Sequence, residues 1–176
     1  MNDDYLMLQY AQGNEKAMEI LYQRWAPRIL AFAKRSLGDF HEAQDVAQES
    51  FLLLSKSATC YEPRGRFGAY LFRIAGNLVR SRHRKKVPLA VQDFDEEGDS
   101  SPEDQAAWRV DLERGLQIIP EKQREALLLV VCGGLSYAEA AVVQDVSESA
   151  LAKRVSRARK GLYMVLTQKG KEGGSA

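Results

Sequence analysis

Apolar residues recur at a 3.6-residue spacing along almost all of this chain, and no segment alternates in the manner of a strand. From Asn14 to Leu37, Met18, Leu21, Trp25, Ile29, Phe32 and Ala33 fall on one helical face behind Asn14, a suitable N-cap. Pro27 is expected to kink or split that helix, and Gly38-Asp39 to end it. In "HEAQDVAQESFLLLSKS", Ala43, Val46, Ala47, Phe51 and Leu54 share a face. The loop "YEPRGR" leads into a long helix, Phe67 to Lys86. "QAAWRVDLERGLQII" is a further helix, and Pro120, at an N1-type position, opens "PEKQREALLLVVC", which Gly133-Gly134 stops. The fold class is all-α.

One stretch breaks the pattern. "VPLAVQDFDEEGDSSPED" is rich in Asp, Glu, Ser, Gly and Pro and reads as a flexible acidic linker over 88–104. It divides the chain into two small helical domains, 1–87 and 105–168, with a frayed, disordered tail at 169–176. A length of 176 residues at 45% hydrophobic content suffices for two such cores. The net charge of +1 hides a segregation of charge. Arg64–Lys86 holds eight bases and no acid, whereas Val87–Glu125 holds eleven acids and four bases. Ala126–Ala152 has three acids and no base, and Lys153–Ala176 seven bases and one acid. Two basic blocks around an acidic middle imply two separate contacts with a polyanion.

Several classes drop out. The acidic start "MNDDYLMLQY" has no apolar signal core, and no run approaches the ~18 apolar residues of a membrane span, so no membrane insertion and a cytoplasmic location are expected. Cys60 and Cys132 lack Cys/His companions, which points to reduced structural thiols and no metal site. There is no Gly-rich phosphate loop, and His41 and His83 sit among charged residues without a nucleophile, so no enzyme and no cofactor are expected.

"GLSYAEAAVVQDVSESALAKRVSRARKGL" has the build of a helix-turn-helix. Ser136 and Glu139 form an S-x-x-E capping box before a short helix. "VVQDVS" is short enough only for a tight turn, with Asp145 where the backbone wants a left-handed residue. Ser147 is a candidate cap for the second helix. There Leu151, Val155, Ala158 and Leu162 make a buried stripe, opposite Lys153, Ser156, Arg157 and Lys160. A helix of ~16 residues is ~24 Å long, enough to lie in a major groove and touch backbone on both sides.

At this point nearly the whole chain resembles the extracytoplasmic-function (ECF) sigma factors of the sigma-70 family, bacterial initiation subunits of RNA polymerase. "IPEKQREALLLVVCGGLSYAEAA…DVSESALAKRVSRARKGL" is similar to their region 4, and "HEAQDVAQESFLLL" with "RFGAYLFRIAGNLVRSRHRKK" to their region 2. The resemblance implies a chain that docks on core RNA polymerase (clamp helices and flap) and directs promoter-specific initiation without covalent chemistry of its own. Asp45, Gln48, Glu49 and Leu52 share one helix face and by resemblance dock on the clamp. Tyr61, Arg66, Phe67, Tyr70, Arg73, Asn77, Arg80 and Arg84 would read and open the minus-10 element. Melted DNA needs cations for its backbone and π-surfaces or amides for its bases, and Asn77 is the position implied to read an extruded base. Leu71, Ile74 and part of the aromatic set are expected in the core, and Gly76 is expected to mark a close approach of another chain. The resemblance places minus-35 contacts on Ala152, Lys153, Ser156 and Arg157, with Lys160 beside them and with Arg154 and Arg159 on phosphates or in internal pairs. The implied partners are core polymerase, duplex and single-stranded promoter DNA, and an anti-sigma factor.

The sequence departs from the commoner pattern at several points. Ala152 and Ser156 are small, Ala140 replaces a larger aliphatic, and Gln144 and Asp145 stand where an apolar residue and a glycine are usual. The alternative is a stand-alone helix-turn-helix regulator that binds a duplex operator without polymerase. The pairing of "DVAQESF" with "FRIAGNLVRSR" argues against it.

Overall fold

The computed structural model describes residues 2–85 and 103–172, with side chains for 2–85 and 108–167. Among them the helices run in the order α1 (Asp3–Ala11), α2 (Glu15–Leu37), α3 (Phe40–Lys56), a 3-10 turn at Ala58–Cys60, α4 (Phe67–Lys85), α5 (Glu103–Ile118), α6 (Glu121–Val131), α7 (Tyr137–Val143) and α8 (Glu148–Glu172). The described residues contain no strand. Most of the acidic stretch expected at 88–104 lies outside the described residues; its last two positions already belong to α5.

The first unit, α1–α4, packs α2 against α1, α3 and α4. The periodic faces explain it: Leu21, Trp25, Ile29, Phe32 and Ala33 of α2 and Ala43, Val46, Phe51 and Leu54 of α3 are buried, while Met18 is half-buried. Gly38 closes α2 at φ 70°, a left-handed conformation glycine adopts without cost, and the Asp39 carboxylate accepts the Glu42 N–H at 2.9 Å to cap α3. α2 is continuous through Pro27, so of the expected kink or split the split does not occur. Pro27 and Gln23, one turn earlier, lie on the exposed face, where the carbonyl left without its donor meets water.

The second unit packs α8 on α5, α6 and α7. Leu151, Val155 and Ala158 are buried as the stripe predicts, with Leu162 half-buried behind them. Pro120 stands at the N-cap of α6, one position earlier than expected. α8 has 25 residues and reaches Glu172, past the tail boundary expected at 169; 173–176 lie outside the described residues.

The two units share one continuous buried cluster. α2 packs on α5 and α6, and α4 on α7. The turn between α6 and α7 enters this seam. A Cβ on Gly133 would overlap the Leu129 carbonyl and reach 3.1 Å from Phe72 Cζ, and one on Gly68 would lie 2.6 Å from Trp25 and 3.1 Å from Leu135. Glycine at these positions lets α4, α2 and the turn approach to van der Waals distance.

Candidate nucleic-acid interface

α8 presents the second unit's basic surface. Lys153, Ser156, Arg157 and Lys160 are exposed, and Ala152 is half-buried beside them. The helix is aimed by its neighbours. Ser136 and Glu139 form a complete capping box at α7, with the Ser136 N–H donating to Glu139 at 2.8 Å and the Glu139 N–H to Ser136 Oγ at 3.2 Å. Asp145 takes φ 51° in the turn, and the Ala150 N–H donates to Ser147 Oγ at 3.2 Å to cap α8. Arg154 turns inward and donates to Gln144 Oε1 at 2.9 Å, an internal partner.

α4, with Arg66 just before it, carries the first unit's basic surface. Arg66, Arg73, Asn77 and Arg84 are exposed, and Tyr70 and Arg80 half-buried. Tyr61 and Phe67 do not join them. Both are buried, with Phe67 lying between Trp25 at 5.8 Å and Tyr61 at 6.0 Å. The Tyr61 hydroxyl donates to the buried Asp4 carboxylate, and burial together with that bond pushes its pKa well above the usual phenol value. Tyr61 still lines a pocket beside α4, whereas Phe67 packs behind it in the core. Leu71 is fully buried and Ile74 half-buried, in line with the expected core. A pocket of about 320 Å³ opens between the 60–66 loop and α4, with Tyr70, Arg66, Ala69 and Arg73 on its walls.

On α3, Asp45, Gln48, Glu49 and Leu52 are exposed together, and Leu52, at 53%, is a large apolar side chain facing water. Beside them runs a groove lined by Glu42, Asp45, Glu49, Leu78 and Arg82. Arg82 of α4 pairs with Glu49 at 3.1 Å and approaches Glu42 at 4.0 Å, so it tethers this acidic face to the basic helix.

The close approach expected at Gly76 comes from the same chain. A Cβ there would lie 3.0 Å from Glu125 Oε1 and 3.3 Å from Arg80 Nη1. Glu125 of α6, 6% exposed, pairs with Arg80 across the seam. Burial holds its carboxyl above the usual carboxylate range, and Arg80 and a hydrogen bond from Gln144 oppose that shift. Sequence periodicity did not single out Glu125; the mid-helix Gly76 was the signal available.

Sigma-70 region 2 matches residues 21–87, and Sigma-70, region 4, matches residues 109–162. The ECF RNA polymerase sigma factor EcfG of Rhodopseudomonas palustris is 33% identical over 83% of this chain and 83% of its own length. The sigma factor CnrH of Cupriavidus metallidurans is 32% identical over 93% of this chain and 94% of its own. The chain belongs to the sigma-70 family, in its ECF group. Solved structures agree with this sigma-factor assignment. CnrH in complex with the cytosolic domain of CnrY matches with a TM-score of 0.77 at 27% identity, covering 96% of this chain and 99% of that one. The sigma factor RpoE of Bartonella quintana in complex with the anti-sigma factor NepR matches at 0.73 and 25%, covering 86% and 98%.

This sigma factor is thus two helical units carrying region 2 and region 4, of a family that initiates transcription without enzymatic chemistry. No helix among the described residues is long and apolar enough to cross a membrane, and no cluster among them could hold a metal ion. Cys60 is exposed and free. Cys132 sits in the seam, where Arg35 Nη1 approaches its sulfur at 3.8 Å and burial pushes its thiol pKa up.

Proposed function

We propose that this sigma factor docks on core RNA polymerase through α3, reads the minus-35 element with α8, and reads and holds open the minus-10 element with α4. The observation that carries the proposal is the two-sidedness of α8. Leu151, Val155 and Ala158 are fully buried on α6 and α7, which leaves Lys153, Ser156, Arg157 and Lys160 together on the outer face. A capped helix held rigidly from behind can enter a major groove, with Arg157 and Lys153 at base edges and Lys160 at phosphates.

Opening follows from α4. Arg66, Arg73, Arg80 and Arg84 offer a cationic track for a separated strand, and Asn77 offers an amide that both donates to and accepts from a base edge. The 320 Å³ pocket beside Tyr70 suits a base taken out of the stack. Docking would bring a basic partner surface onto Asp45 and Glu49, with Gln48 and Leu52 at the edges of the contact, and region 4 would meet the polymerase flap. Control in trans by an anti-sigma factor is part of the same proposal. It is supported by the likeness to CnrH, solved with CnrY's cytosolic domain, and to the Bartonella protein, solved with NepR. The setting is the bacterial cytoplasm, where polymerase and promoter meet.

The test is in vitro transcription with core polymerase on genomic DNA. Discrete start sites that share upstream and downstream elements and require this chain are the expected result. A chain that binds duplex DNA but neither binds core nor directs initiation would be a stand-alone regulator, and the proposal would fall.

A further inference from the structure

The residues assigned above to the minus-10 element are engaged by the region-4 unit in the free chain. Arg73 pairs with Asp145 of the turn between α7 and α8, with Nη2 at 3.2 and 3.1 Å from the two carboxylate oxygens. Arg80 pairs with Glu125. Its other amino nitrogen donates to Asn77 Oδ1 at 2.6 Å, so the base-reading amide is tied to the same cross-seam pair. Val142 of α7, 40% exposed, lines the pocket that Tyr70 and Arg73 line from the other side.

Two of the departures from the commoner sequence pattern build this arrangement. Gln144 Nε2 donates to Glu125 Oε2 at 3.1 Å and to the Lys122 carbonyl at 3.0 Å, which leaves Glu125 Oε1 for Arg80. Asp145 occupies a left-handed position where glycine would be free of strain, and its carboxylate reaches α4. Gly76 leaves the space into which the Glu125–Arg80 pair fits.

We propose that Glu125, Val142 and Asp145 form an intramolecular latch that masks the minus-10 surface of the free chain, so that a DNA strand and the region-4 unit compete for the same face of α4. The inference rests on the reading of α4 given under Proposed function. The physical basis is that a carboxylate and a phosphate ask the same thing of a guanidinium, namely paired N–H donors to anionic oxygens. Two carboxylates already hold two of the guanidiniums a strand needs, and an apolar side chain of the region-4 unit forms part of the pocket wall. The Arg73–Asp145 pair is exposed, so salt and DNA phosphates displace it readily; the Glu125 pair is more shielded and holds the units in register.

The experiment uses the full chain with Val142→Cys and Cys132→Ser, which leaves native Cys60, also on the pocket wall, as the second thiol. A short, reductively cleavable bis-maleimide bridges the thiols at 60 and 142. The probe is a fluorescent 12-nucleotide single strand of randomised sequence, and singly capped thiols serve as the control. The free chain is expected to bridge efficiently, and bridging yield to fall several-fold when the strand or core polymerase is present. The bridged chain is expected to bind the strand at least tenfold more weakly, with recovery after the linker is cleaved. Asp145→Asn, which suits the left-handed turn but carries no charge, is expected to lower bridging and raise strand affinity several-fold. The matched neutralisation Glu15→Gln, at an exposed site on α2, is expected to do neither. Equal strand binding by bridged and unbridged chains overturns the latch, as does a failure to bridge. If the unbridged chain neither binds the strand nor supports initiation with core, the α4 reading itself fails and takes the latch with it.

Discussion

Gly133→Ala tests whether the seam between the units is as tightly built as its contacts indicate. A methyl group there would overlap the Leu129 carbonyl oxygen and press on Phe72 Cζ at 3.1 Å. Neither neighbour can yield freely. The Leu129 carbonyl accepts the Leu135 N–H at 3.2 Å, so moving it sacrifices a hydrogen bond worth about 1 kcal/mol. Phe72 is fully buried, edge-on to Phe32 at 5.4 Å and to Trp25 at 6.2 Å, and overpacking such a site costs about 1–3 kcal/mol. The sum is about 2–4 kcal/mol, and each kcal/mol moves Tm by about 2–4 °C in a chain of this size. Differential scanning calorimetry should therefore show a drop of about 5–15 °C. Gly65→Ala provides the contrast. Its φ of 67° is strained for alanine, but nothing lies within 4 Å of the added methyl, so only the backbone cost of about 1–2 kcal/mol applies. If Gly133→Ala melts within about 2 °C of the wild type, or no lower than Gly65→Ala, the close packing of the α6–α7 turn on α4 is refuted.

Four further outcomes are expected. Arg157→Ala should cost about 1–3 kcal/mol on the cognate upstream element and relax preference at one position in a binding selection, whereas a uniform loss on all DNA would mark a phosphate contact. Asp45→Lys with Glu49→Lys should weaken core binding in a pull-down or titration while circular dichroism stays unchanged, since both side chains are exposed; unaltered core affinity would remove α3 as the docking face. Asn77→Ala should impair permanganate-detected melting and shift preference at one minus-10 base, with core and upstream binding retained. Glu125 governs a pH effect whose sign follows from its raised pKa: its contribution to stability is full below the unfolded carboxyl value and is lost as pH rises through the folded one. Glu125→Gln removes that loss, so its Tm relative to wild type should be more favourable at pH 8 than at pH 5, and a difference independent of pH would refute the assignment.

Local spacing in the sequence is enough for the faces that the helices bury, though not for every helix boundary. The spacing of Leu21, Trp25, Ile29 and Phe32, of Ala43, Val46, Phe51 and Leu54, and of Leu151, Val155 and Ala158 is local information, and each set is buried. The capping box of Ser136 and Glu139 and the left-handed Asp145 were legible for the same reason, since each is decided within four residues. The outward, basic side of α8 then follows by subtraction. Tertiary structure decides what periodicity cannot. Part of the aromatic set is expected in the core, but periodicity does not say which rings: Phe67 packs on Trp25 and the Tyr61 hydroxyl bonds Asp4, partners far away in the chain. Pro27 leaves α2 unbroken because its face of the helix happens to meet water. Gly76 announced a close neighbour without identifying it, because Glu125 lies in another helix and reaches the site only when the two units pack. The pairing of Arg73 with Asp145 joins residues 72 positions apart, and Arg80 with Glu125 joins residues 45 apart. A helix fixes which side chains share a face. Which face meets which is fixed by the fit of whole surfaces, here glycines 68, 76 and 133 against Trp25, Glu125 and Phe72, and that fit exists only in three dimensions.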